Sequence, residues 1–544
     1  MTESRFEFSS RRSPVYSRGG MVAASQPLAV AAGLRLLDLG GNAVDAAVAV
    51  AAALNVTEPT STGLGGDAFA LYYKADAAEV FALNGSGRCP GGLTLERLQR
   101  EGMGTTLPPY HPYTITVPGA CAAWCDLVER FGSRTMDQIL APAIQLAEQG
   151  FPVAPTTAWF WQRAAQGQLG RAVNGRELTI DGRGPRAGEL FRNPGLARTL
   201  RCIADDGKSA YYTGEIADAI ISVIKEAGGC LSAEDLAAHT STWETPISVL
   251  YRGVRVWECP PNGQGLAALL ALTLLEGFDL SMTAPLSIDR LHLMIEAMRL
   301  AFADARAYIA DPAFVDVPVD ALLSIEHTDK RRTLIDPARA NPALRPGTPP
   351  AVSDTVYFSV VDRWGNACSF INSNYMGFGT GIVPRRWGFS LQNRGHNFRL
   401  DPTHPNGLAP GKRPYHTIIP AMATRASDGS LYASFGVMGG FMQPQGHVQV
   451  VSSLVDDQLD PQAALDQPRW CIEPEDSHGL TALEDGIPLT VMAGLANRGH
   501  PIRPVTGMAR AMFGRGQIIL RNPDNGVLCG GSDPRADGLA MATL

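Results

Sequence analysis

A hydroxyl residue stands at the seam of "PPAVSDTVYFSVVD" (349–362), where a proline-rich run stops at Asp354 and an apolar strand begins with Thr355. A threonine hydroxyl is a weak nucleophile until a base takes its proton. A cut between Asp354 and Thr355 would supply that base. The freed α-amine of Thr355 has a model-peptide pKa of roughly 7.7–8.0. It could accept the hydroxyl proton directly or through water, so the chemistry needs no histidine. The plainer alternative is an ordinary strand residue, since β-branched side chains suit strand starts.

Other chemistries find little support. There is no HExxH, no CxxC pair and no dense run of aspartates, so neither a metal nor a cofactor is expected. "CIADDGKS" (202–209) resembles a phosphate loop, but Cys202 replaces the first glycine, and the segment reads as a helix and a turn. "GLGGD" is not GxGxxG and precedes a strand, which disfavours dinucleotide binding. No GxSxG elbow is present. His396, His404 and His447 are expected in loops, as structural hydrogen-bonding residues. Asp354 either assists cleavage or is an ordinary loop acid.

The elements that must position Thr355 form a hairpin. "TVYFSVVD" and "ACSFINSN" flank "RWGN" (363–366). With Trp364-Gly365 as a two-residue turn, Asp362 faces Ala367 and Thr355 faces Asn374. Ser373 and Asn374 then lie beside Thr355. Upstream, residues 21–59 read as two helices, the first ending at Gly40-Gly41 and the second starting at Asn42 with Asp45 in its first turn. "STGLGGDAFALYY" (61–73) reads as a glycine turn and an alternating strand, and 120–310 as mainly helical. Segment 331–354 has five prolines and reads as an exposed connection.

Bulk properties narrow the class. The 544 residues, 45% hydrophobic, can bury a large core. A net charge of −7 argues against a nucleic-acid partner. No apolar stretch reaches bilayer length, "AAVAVAAALNV" (46–56) being too short, so no membrane partner is expected. Nine scattered cysteines without an apolar leader read as reduced thiols in a cytoplasm.

The chain resembles the γ-glutamyltransferases (γ-glutamyltranspeptidases, glutathione hydrolases), which are N-terminal-nucleophile hydrolases. The resemblance runs through "GMVAASQPLAVAAGLRLLDLGGNAVDAAVAVAAALNVTEPTSTGLGGDAF", "FRNPGLARTLRCIADDGKSAYYTGEIA", "PPNGQG", "DTVYFSVVDRWGNACSF", "GFGTGIV", "GKRPYHTIIP", "VMGG" and "GGSDPRADGLA", in family order. It implies an α+β fold, the four-layer αββα sandwich. It implies a precursor that cuts itself before Thr355 into a large subunit, 1–354, and a small catalytic subunit, 355–544, which stay together; a dimer of such pairs is a further arrangement. Thr355 would attack a small-molecule amide and pass the acyl group to water or an amine. Ser373 matches a family threonine that hydrogen-bonds the nucleophile. Gly439 and Gly440 match the pair whose N–H groups form the oxyanion hole.

The acyl pocket departs from the family. The Arg that binds the substrate α-carboxylate has no counterpart near Leu95, and Arg88 is the closest candidate to replace it. The Asp that holds the α-ammonium corresponds to Asn397. The neighbouring Gln becomes Arg394, the Asn after the second strand becomes Tyr375, and a Ser-Ser pair becomes His416-Thr417. An anion is lost while cationic or neutral donors are gained. A buried ammonium without its carboxylate costs roughly 2–5 kcal/mol. The expected acyl group therefore carries a carboxylate without an α-amine, glutaryl- or oxamate-type, or is small. A subset of the family resembling cephalosporin acylases shows a similar loss. Arg88 and Arg394 as mere loop supports are one alternative, and an uncleaved, non-catalytic metabolite-binding relative is another.

Overall fold

The computed structural model describes residues 12–341, 355–473 and 479–544. Two antiparallel seven-stranded sheets lie face to face. The first runs in the order Leu539–Ala542, Met21–Ala24, Val356–Val361, Ala367–Ser373, Asp67–Lys74, Glu79–Gly85, Thr242–Glu244. The second runs Val15–Ser17, Leu528–Ser532, Arg515–Arg521, Leu431–Met438, Ala421–Arg425, Val254–Glu258, Ile247–Tyr251.

Side-chain alternation along the strands sorts the layers. In the first sheet Val356, Phe358, Val360, Cys368 and Phe370 face a helical layer, while Tyr357, Val361 and Ile371 face the second sheet. In the second sheet Phe435, Val437 and Ile518 pack against outer helices that include Gly265–Glu276, Ile288–Tyr308 and Met442–Val455, while Met422 and Ile519 face the first sheet. The result is helix, sheet, sheet, helix: the expected αββα sandwich. The strand at Asp67–Lys74 is buried on both faces except at its last residue, because a layer covers each side. Three strands at Thr242–Glu244, Ile247–Tyr251 and Val254–Glu258 interrupt the region read as mainly helical.

The Ala43–Thr57 helix is buried at every residue, and its small side chains permit that. Asn42 and Asp45 form a reciprocal capping box at its start. Asp362 Oδ2 accepts the Ala43 N–H at 3.0 Å, tying the hairpin turn to the same helix end.

That turn corrects the expected register. Asp362 Oδ1 accepts from the N–H groups of Trp364 (2.9 Å) and Asn366 (3.0 Å), and Gly365 takes φ +86°. The loop is therefore three residues, Arg363 to Gly365, with glycine in the left-handed position such loops require. Val361 pairs with Ala367 and Val356 with Asn372. Thr355 consequently stands opposite Ser373, not Asn374. A slip of one residue would have turned every side chain to the other face. Thr355, Ser373 and Asp67 share the parity of Tyr357, Ile371 and Phe69, so all three belong to the inter-sheet face at one end of three adjacent strands.

A polar staple crosses this apolar layer. Tyr357 Oη lies 2.6 Å from Ser359 Oγ and 2.8 Å from Ser369 Oγ, and Ser434 of the second sheet donates to Ser359 at 3.0 Å. Among the described residues no helix is long and apolar enough to cross a membrane. Tyr357→Phe removes the hub of the staple and should lower unfolding free energy by about 1 kcal/mol. Denaturant titration checks this; an unchanged midpoint would show that the serines re-pair without loss.

Candidate active site

Thr355 Oγ1 lies 3.0 Å from Ser373 Oγ. Ser373 Oγ also accepts from the Tyr375 N–H at 2.9 Å and from Arg394 Nη2 at 3.1 Å. A cationic donor and an amide both draw electron density from this hydroxyl, so it suits donation to an oxygen that gains negative charge. Tyr375 takes φ +78°, a left-handed conformation that is strained for a bulky residue. Thr355, Ser373, Tyr375 and Arg394 are fully buried. In the intact chain the Thr355 nitrogen is a peptide amide and has no basicity to offer.

Arg394 is the dominant charge here. Nη1 donates to Thr417 Oγ1 at 2.7 Å, and the guanidinium lies 4.4 Å from the centre of the Tyr375 ring. Burial pushes its pKa down to about 10, with Asp67 and Tyr375 pulling the other way; it stays charged at neutral pH. Its Nε has no hydrogen-bond partner among the described residues. The carboxylate that acts on it, Asp67, is committed elsewhere.

Asp67 Oδ1 accepts from the N–H groups of Gly87 (3.0 Å) and Gly119 (3.1 Å) and from Gln392 Nε2 (2.9 Å). Its Oδ2 lies 2.9 Å from His416 Nε2. A carboxylate only accepts, so the imidazole carries its proton on Nε2. Burial, then the Arg394 cation, pushes the His416 pKa down to about 3, which leaves the ring neutral. Asp67 escapes sequence reasoning. Its signal is slight: an acid opening an otherwise apolar strand in "GGDAFALYY".

The oxyanion candidates arrive from the opposite sheet. Gly439 (φ +135°) and Gly440 (φ +60°) join strand Leu431–Met438 to helix Met442–Val455. A Cβ on Gly439 would lie 3.2 Å from Gly514 Cα. Among the described residues no backbone carbonyl takes either N–H. Gln264 Nε2 holds Gly440 O at 2.8 Å and Thr417 O at 2.7 Å, linking this loop to the Arg394 cluster.

Tyr375 Oη donates to Asn397 Oδ1 at 2.6 Å, and Asn397 Nδ2 donates to Tyr415 O at 3.0 Å. The structure therefore brings Thr355, Ser373, Tyr375, Arg394, Asn397, His416, Thr417, Gly439 and Gly440 into one bonded network. Arg88 stands outside it: its Nη1 donates to Thr240 O at 3.3 Å. Asp354 lies outside the described residues. His396 and His404 lie in a short 3-10 turn and a loop. His447, expected in a loop, is instead on helix Met442–Val455, with Nδ1 2.7 Å from Glu258 Oε1. Among the described residues no group of three His, Cys, Asp or Glu could hold a metal.

A cleft of about 800 Å³ opens at Met376, the residue after Tyr375. Met376 and Phe378, just beyond Tyr375, form one wall; Met508 and Met512, leading to the Gly514 that packs on Gly439, form another; Trp159 and Phe160 line it further. It stops short of the buried Thr355.

A profile described as Gamma-glutamyltranspeptidase matches residues 29–543. The glutathione hydrolase-like YwrD proenzyme of Bacillus subtilis is 35% identical, covering 96% of this chain and 98% of its own. The oxamate amidohydrolase proenzyme of Klebsiella pneumoniae is 34% identical over the same shares. The solved structure of a cephalosporin acylase from Bacillus halodurans is 46% identical and superposes with a TM-score of 0.91, covering 100% of this chain and 99% of that one.

Asp67→Ala strands His416, Gln392 and two backbone N–H groups without their acceptor. It should cost roughly 3 kcal/mol of stability, given 1–3 kcal/mol for each unsatisfied buried group and partial repair by water. Chemical denaturation measures this; a loss below 1 kcal/mol would show that Asp67 is not the anchor described.

Proposed function

The chain belongs to the gamma-glutamyltranspeptidase family, and from that premise we propose a self-processing amidohydrolase whose nucleophile is Thr355 and whose acyl group carries a carboxylate but no α-ammonium. Processing comes first. Thr355 Oγ1 attacks the carbonyl carbon of residue 354, the C–N bond breaks, and the resulting ester is hydrolysed. This yields a carboxylate at residue 354 and a free amine on Thr355. The two products, 1–354 and 355–544, remain interleaved in both sheets.

In turnover that amine takes the Oγ1 proton while Oγ1 bonds to the amide carbon of the substrate. Ser373 steadies Thr355 Oγ1, and the N–H groups of Gly439 and Gly440 receive the oxyanion. Collapse breaks the C–N bond, and the proton passes from the Thr355 ammonium to the departing amine. Water, or a second amine in transfer, then attacks the ester and restores the hydroxyl. The cleft lined by Met376, Phe378 and Met512 gives the departing amine room. Nine free thiols, most of them buried, support a reducing cytoplasm as the working compartment.

One observation carries the acyl preference: a buried guanidinium, two bonds from the nucleophile, without an ion-pair partner among the described residues. A substrate carboxylate would complete it. An α-ammonium would instead meet a cation and find Asn397 where the family has an acid.

A denaturing gel of purified protein should show two bands, the smaller beginning at Thr355, and Thr355→Ala should give one uncut, inactive chain. Persistent single-chain wild-type protein would favour a metabolite-binding relative. A processed Thr355→Ala chain would remove Thr355 as nucleophile. Glutaryl-p-nitroanilide should exceed γ-glutamyl-p-nitroanilide at least tenfold in kcat/KM, because a stranded ammonium costs roughly 2–5 kcal/mol and each 1.4 kcal/mol is tenfold. Preference for the γ-glutamyl compound refutes the acyl assignment.

A further inference from the structure

The spacing between nucleophile and cation limits the acyl chain, and we propose that the preferred substrates are monoamides of two- to four-carbon dicarboxylic acids. This rests on Arg394 as the group that binds the acyl carboxylate. Arg394 Nη2 is 3.1 Å from Ser373 Oγ, which is 3.0 Å from Thr355 Oγ1. Nη2 therefore lies within the sum of those two bonds, about 6 Å, of the attacking oxygen.

An acyl-enzyme must fit three lengths into that interval. One is the ester bond to Thr355 Oγ1. Another is the charge-assisted hydrogen bond to the guanidinium, about 2.7–2.9 Å. What remains is the span from acyl carbon to carboxylate oxygen. In an oxalyl group the carboxylate is attached directly to the reacting carbon, and it bridges this gap without slack. Each methylene adds most of a C–C bond of about 1.5 Å. The longer chain must then fold sideways.

The walls leave little freedom for folding. The Tyr375 ring covers the guanidinium at 4.4 Å and is held by Asn397 at 2.6 Å. His416 is fixed by Asp67 at 2.9 Å, and Thr417 holds Nη1 at 2.7 Å. All are buried. The guanidinium cannot retreat without giving up both hydroxyl partners. Its Nε, unpartnered among the described residues, forms with Nη2 the fork that takes a carboxylate two-pronged.

Ammonia release by the processed enzyme would be followed for oxamate, malonamate, succinamate and glutaramate, beside the uncharged acetamide, propionamide and butyramide. Carboxylated amides should exceed uncharged ones of equal length. Among them kcat/KM should fall at least tenfold between succinamate and glutaramate. A carboxylate preference with glutaramate as the best substrate overturns the length limit and leaves the role of Arg394 intact. No carboxylate preference at any length overturns both. Arg394→Lys shortens the side chain and should move the optimum toward longer acids; an unmoved optimum in a variant that is processed and active would also defeat the proposal.

Discussion

The site depends on a fully buried arginine, Arg394, that has no ion-pair partner among the described residues. Removing an unpaired charge from water costs several kcal/mol even after the protein relaxes. The surroundings of Arg394 offset part of that cost. Two hydroxyl groups and an aromatic face replace water, and the more distant Asp67 supplies an attractive field. Each of those partners is in turn held by something else. Ser373 sits on a central strand, Tyr375 adopts a strained backbone, and Gln264 grips the Thr417 backbone.

Asp67 is the counterpart of this arrangement. Its two oxygens take four hydrogen bonds, from Gly87 and Gly119 before residue 342 and from Gln392 and His416 after residue 354. Anion and cation are close enough to feel each other, yet each is bonded to neutral groups. Direct pairing would quench the cation; this separation leaves it without an ion-pair partner among the described residues. His416 acts as the spacer, and its neutrality is what allows it to sit beside a guanidinium.

Much of this was legible in the chain itself, and the failures have physical causes. Thr355, Ser373 and the two glycines follow from a hairpin beside a proline-rich seam and from ordered motifs. The hairpin register was one residue off, because the choice between a two- and a three-residue turn depends on the Asp362 side chain capping two N–H groups. Asp67 is not legible in sequence because its meaning lies in partners 20 to 349 residues away. Arg88 is a base near the right motif, but its guanidinium turns to Thr240. The strands at 242–258 are hard to read among helices because each is only three to five residues long, although Val254–Glu258 alternates between buried and less buried positions. Charge type and order in sequence were readable; which way a long side chain turns was not.

The interleaving of the strands bears on the protein's history as well as its shape. Val356–Val361 pairs on one side with Met21–Ala24, which pairs in turn with the C-terminal Leu539–Ala542. Two pieces cut at the seam would be laced through each other. Each would need the other to complete either sheet. Folding would have been a single-chain event, with every strand tethered to the rest. Unfolding after the cut would release two separate pieces whose reunion depends on concentration. Such a protein assembles once: its persistence would be governed by how slowly it comes apart, not by how readily it could form again.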